Sequence, residues 1–69
     1  MMTVGHKIKE LRKEAEMTQR KLAEKSGVSY SLIPLIENDE LLPTKEALLS
    51  LARALKYDNV SELLRLAGY

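Results

Sequence analysis

Few side chains in this chain could act on a bound molecule. It has 69 residues, no cysteine and one histidine. His6 has no acid, thiol or second histidine at a spacing that implies a site, and it reads as an exposed N-terminal residue. No glycine-rich phosphate loop, metal-ligand pattern or nucleophile motif is present. No catalytic residue, cofactor or metal ion is therefore implied, and the chain is not expected to be an enzyme. The charge is more informative. Residues 1–28 carry seven Lys/Arg against four Glu, a balance of +3, whereas residues 29–69 carry four against six, a balance of −2. A basic first half suits a polyanion, although a solvated surface would look similar.

The stretch from Gln19 to Ile36, QRKLAEKSGVSYSLIPLI, carries the clearest pattern. Ala23 is small enough for a second helix to approach closely. Gly27 stands where the chain must turn, because glycine reaches positive φ without steric cost. Leu22, Val28, Ile33 and Ile36 are the inward apolar positions. Two short helices crossing steeply with this spacing make a helix-turn-helix, spanning about residues 18–37, whose second helix usually enters a DNA major groove.

The elements that position this unit are legible as five helices and no strands. Helix 1 is predicted from about Val4 to Glu16, capped by Thr3, with Ile8, Leu11 and Ala15 on one face. Helix 2 follows Thr18 and ends at Ser26–Gly27. Helix 3 follows Ser29 as its cap and ends near Asn38, before the loop Asp39–Pro43. Thr44 caps helix 4, with Ala47, Leu48, Leu51, Ala52 and Leu55 as its stripe. Asn59 and Glu62 form the pattern of a capping box opening helix 5, which carries Val60, Leu63, Leu64 and Leu66 and stops at Gly68. With Phe and Trp absent, the core must be aliphatic. Met17 reads as a core filler, and Met1 and Met2 as chain-start residues. Sixty-nine residues make one domain, 1–69, without repeat or linker. Lys7 and Lys9 interrupt the apolar start, so no signal peptide is expected, and no apolar run could span a bilayer.

These residues resemble a Cro/CI-type (XRE-family) helix-turn-helix domain, as in phage repressors and small bacterial regulators. The resemblance runs from about Ile8 to Leu64. It rests on Leu11-Arg12, Met17-Thr18-Gln19, Leu22-Ala23, Gly27-Val28-Ser29, Ile33, Ile36-Glu37, Pro43 and Leu48 to Leu55. It implies an all-α, five-helix, lambda-repressor-like bundle. It also implies that the start of helix 2, at Thr18 and Gln19, abuts a DNA phosphate. A positive helix end with free N–H groups suits such an anion. Arg12 and Glu37 match a structural ion pair, with Arg12 keeping donors to spare for a phosphate. Arg20, Lys21, Lys25 and Asn38 could also approach the backbone. Tyr30, Ser31, Pro34 and Leu35 hold the base-facing positions.

The chain departs from that family at the recognition helix. Gln, Arg, Asn, Ser or Thr are common at base-facing positions, but here only Ser31 and the Tyr30 phenol can hydrogen-bond, while Pro34 and Leu35 can pack on thymine methyls. Pro34, about five residues past the Ser29 cap, is expected to strain its helix, kink or widen the first turn and push Ile33 off helical geometry. Replacing it with serine would then stabilise the domain. Asp39 and Glu40 stand where glycine and basic residues are common, and would repel a phosphate. Asp39 can adopt the left-handed turn.

Two functions are compatible with these features. One is a sequence-specific DNA-binding regulator of the bacterial or phage type, cytoplasmic and nucleoid-associated. It would be a dimeric repressor on a two-fold operator, with Leu63, Leu66 and Tyr69 as dimer-interface candidates. The other is a protein-interaction module on the same fold, anti-repressor or antitoxin-like. It would use an apolar patch of Tyr30, Leu32, Pro34, Leu35 and Leu41 for a protein partner. Leu32 and Leu41 could instead fold inward.

Overall fold

The computed structural model describes residues 2–69; Met1, read as a chain-start residue, lies outside them. Five helices follow in order: α1 Val4–Glu14, α2 Gln19–Ser26, α3 Leu32–Glu37, α4 Lys45–Ala54 and α5 Val60–Leu66. The described residues contain no strand. Three starts are set by threonine caps. Thr3, Thr18 and Thr44 each accept the backbone N–H three residues on, from His6 at 3.1 Å, Lys21 at 3.0 Å and Ala47 at 3.0 Å. The core is aliphatic: Ile8, Leu22, Ile33, Ile36, Leu48, Leu51 and Leu63 are fully enclosed, with Val4, Ala23 and Ala52 at their margins. Val28 and Met17 pack at its edge. Ala15, expected on the inner face of helix 1, is exposed, because α1 ends one residue before it.

Helix ends are made by left-handed residues. Gly27 caps α2 at φ 79°. Glu16, Asp39 and Lys56 take φ of 57°, 62° and 54° after α1, α3 and α4. In each case the next N–H bonds five residues back: Met17 to Arg12 O, Glu40 to Leu35 O, and Tyr57 to Ala52 O. These bonds satisfy carbonyls left open at a helix end. Asp39 therefore does turn left-handed.

Three local expectations are corrected. Helix α3 starts at Leu32, not after Ser29. Leu32 N–H bonds to Ser29 O and Ile33 N–H to Tyr30 O, a tight three-residue pattern that delays the α-helix. Pro34 is thus the third helical residue, inside the first turn, where no intrahelical N–H bond is lost. The turn is tightened rather than widened. Pro34→Ser is accordingly expected to lower stability, by about 0.5 kcal/mol through the looser unfolded chain. A thermal melt checks this, and a raised Tm would restore the strain argument. The capping box of α5 does not form either. Asn59 makes no side-chain cap, and its Oδ1 accepts from Ser61 Oγ at 3.0 Å. Leu32 and Leu41 remain exposed.

Glu62, freed from the cap, accepts instead from the Tyr57 phenol, and Lys7 Nζ of α1 lies 3.7 Å from it. The Tyr57 hydrogen bond, then Lys7 and Arg65, hold the Glu62 carboxyl below its ordinary 4.5. A lowered folded value gives stability that is present above 4.5 and lost as pH falls through the folded value. Tyr57→Phe should shrink the loss of stability over that acid window. Urea melts across pH check it, and an unchanged acid limb would contradict it.

Candidate nucleic-acid interface

The site is built around one buried carboxylate. Glu37, the last residue of α3, has a side chain only 1% exposed. Arg12 from α1 grips it with two bonds, Nε to Oε2 at 2.7 Å and Nη2 to Oε1 at 3.1 Å. Gln19 Nε2 donates to the same Oε1 at 3.1 Å. Arg12 Nη1 donates to the Met17 carbonyl at 2.8 Å, holding the α1–α2 link. One carboxylate thus ties the ends of α1 and α3 to the start of α2. A guanidinium has five N–H groups, so Arg12 keeps donors beyond these three bonds.

Above this lock the surface is open and cationic. Arg12, Thr18, Gln19, Arg20 and Tyr30 line a broad depression of about 540 Å³. It lies at the N-terminal end of α2, where backbone N–H groups and the helix dipole favour an anion. The Arg20 guanidinium stands 4.7 Å from the Tyr30 ring centroid, a cation–π contact that joins α2 to the turn before α3. The structure therefore brings four of the phosphate-facing candidates together, Arg12, Thr18, Gln19 and Arg20. Asn38, exposed just past the end of α3, is not among the residues that line the depression. Lys21 is exposed and lies 3.8 Å from Glu24, a weak surface pair, and Lys25 is exposed in the last turn of α2.

Of the base-facing candidates, Tyr30 lines the depression. Tyr30, Ser31 and Leu35 are exposed and Pro34 is half-buried. Ser31 Oγ lies 3.0 Å from Ser29 Oγ, so the two hydroxyls pair. Asp39 is not simply a repelling charge, since its Oδ2 accepts from the Thr3 hydroxyl at 2.9 Å. Glu40 remains exposed.

The dimer candidates separate. Leu63 is fully enclosed in the core and cannot present a surface, which corrects its expected place at an interface. Leu66 is half-buried beside Leu41, Leu42 and Met2, which line an apolar groove with it. The Tyr69 hydroxyl donates to the Pro43 carbonyl at 2.8 Å, leaving its ring partly exposed.

Residues 8–58 match the family model described as helix-turn-helix. The chain belongs to the helix-turn-helix family. An immunity repressor protein of Bacillus phage phi105 is 46% identical over 54 residues, covering 78% of this chain and 38% of that relative. This chain thus spans well under half the length of the curated relative it matches. No solved structure matches it. The helix-turn-helix family is one of DNA-binding regulators rather than enzymes. Among the described residues of this helix-turn-helix protein, no helix is long and apolar enough to cross a membrane.

Three features of the site left no periodic signal. They are the Gln19–Glu37 bond, the Arg20–Tyr30 stack and the use of the Met17 carbonyl. Each joins residues from different elements through one side-chain rotamer. Gly5, buried where α1 meets α3, was also unmarked.

Proposed function

We propose that this chain binds double-stranded DNA as a sequence-specific transcriptional repressor, a dimer that sets α3 of each copy in the major groove of an operator. The observation that carries this reading is the depression at the start of α2, lined by Arg12, Thr18, Gln19 and Arg20 and reaching Tyr30 in the turn that leads into α3. Arg12, Thr18, Gln19 and Arg20 would hold a phosphodiester while Tyr30, Ser31, Pro34 and Leu35 face the bases. The similarity to a phage immunity repressor supports the regulatory role. The protein measures 26 × 24 × 21 Å, so two copies side by side can present α3 at the roughly 34 Å spacing of one DNA turn. Leu66 and Tyr69, with the exposed Leu41 and Leu42, are the proposed contact between copies. Such a repressor would act in the cytoplasm, on the nucleoid.

A second reading, a protein partner docked on α3, is favoured by the exposed Tyr30, Leu32 and Leu35. Fluorescence anisotropy with labelled duplexes from upstream of the protein's own gene separates the two. DNA binding should weaken on the order of a hundred-fold between about 50 and 200 mM salt, because phosphate contacts release counterions. A folded protein that binds no duplex at low salt would move the function to the protein partner.

A further inference from the structure

Leu35 stands at the centre of the face that α3 turns to solvent. At about 100° per residue, the buried Ile33, Ile36 and Glu37 occupy one side of the helix, which sets Ser31 and Leu35 opposite them. Leu35 is 38% exposed, and Pro34 flanks it. Hydrogen-bonding groups are few at the centre of this face: the Ser31 hydroxyl pairs with Ser29, Pro34 has no N–H, and Glu37 is turned inward onto Arg12 and Gln19, which leaves the exposed Tyr30 phenol and Asn38 amide at its margins. An apolar side chain can tell base pairs apart in the major groove by packing on the thymine C5-methyl.

We propose that Leu35, flanked by Pro34, reads thymine C5-methyl groups, so that methyl contact at this position supplies base discrimination. The inference rests on the reading of α3 as the major-groove helix. DNA is the occupant that the surroundings fit. Tyr30, in the turn that leads into α3, lines the depression with Arg20 and Gln19, so a phosphate cradle adjoins the start of the helix that carries Leu35.

The test uses duplexes selected from a random pool by the wild-type protein, then remade with deoxyuridine for thymidine. That change removes the methyl and leaves every hydrogen-bonding edge intact. Wild-type affinity should fall roughly four-fold for each contacted methyl. Leu35→Ala should bind the two forms equally, its fold verified by circular dichroism, since the truncated side chain lies outside the core. Equal wild-type affinity for both forms overturns the inference and leaves DNA binding standing. Full discrimination retained by Leu35→Ala does the same. Failure of the selection to yield any salt-sensitive duplex overturns the DNA reading, and the inference with it.

Discussion

Gly5→Ala is expected to cost about 3 kcal/mol or more, within the upper range for overpacking a tight contact. A Cβ on Gly5 would stand 2.1 Å from the Ile36 carbonyl oxygen and 2.6 Å from Asp39 Oδ1. The carboxylate could rotate away, although it would give up the Thr3 hydroxyl. The carbonyl cannot move without the end of α3. Ile36 is fully buried, so α3 can shift only by opening the core. For a domain of this size the loss corresponds to a Tm lowered by roughly 15 °C. A thermal melt checks it, and a Tm within about 3 °C of wild type would show that α1 can slide on α3. Any shift of α3 also moves Leu35 and Tyr30 relative to Arg20, so the variant should lose DNA affinity before it unfolds.

The second large effect is expected at the carboxylate lock. Arg12→Ala removes two of the three bonds to Glu37 and leaves an almost fully enclosed charge with only Gln19. Breaking a buried pair from one side costs about 3–5 kcal/mol, far more than the net worth of the intact pair. Against a total stability of about 5–15 kcal/mol, that would leave a substantial unfolded population. Arg12→Met combined with Glu37→Leu should recover most of the loss, because neither charge is then stranded. Urea unfolding of both variants checks the argument. A single variant less than about 1 kcal/mol below wild type, or a double variant worse than the single, would contradict it.

These two sites mark the boundary of what the sequence discloses. Threonines at 3, 18 and 44 precede apolar periodicity, so three helix starts were legible. The same applies to the inward set Leu22, Ile33, Ile36, Leu48 and Leu51, which repeats at helical spacing. The start of α3 was hidden because Ser29 and Ser31 both suit a cap. The choice between them depends on which carbonyls Leu32 and Ile33 reach. The ends of α1 and α4 were hidden because Glu16 and Lys56, which take the left-handed turns that follow them, are not glycines. Leu63 was ambiguous because a short amphipathic helix does not say which of its leucines meets the core. Gly5 lies in a helix, where glycine reads as a weak helix former rather than as a point of close approach. In the site, the Arg12–Glu37 pairing was readable through the family resemblance. The contribution of Gln19 and the stack of Arg20 on Tyr30 depend on rotamers that no spacing encodes.

The start of α2 and the outward face of α3 are proposed to meet DNA together. Amide chemical shifts of the isotope-labelled chain, followed as a selected duplex is added, test this most directly. Salt-sensitive changes should concentrate at Thr18, Gln19, Arg20, Tyr30, Ser31 and Leu35. Changes confined to the groove around Leu41, Leu42 and Leu66, or none with a folded protein at low salt, would overturn that reading.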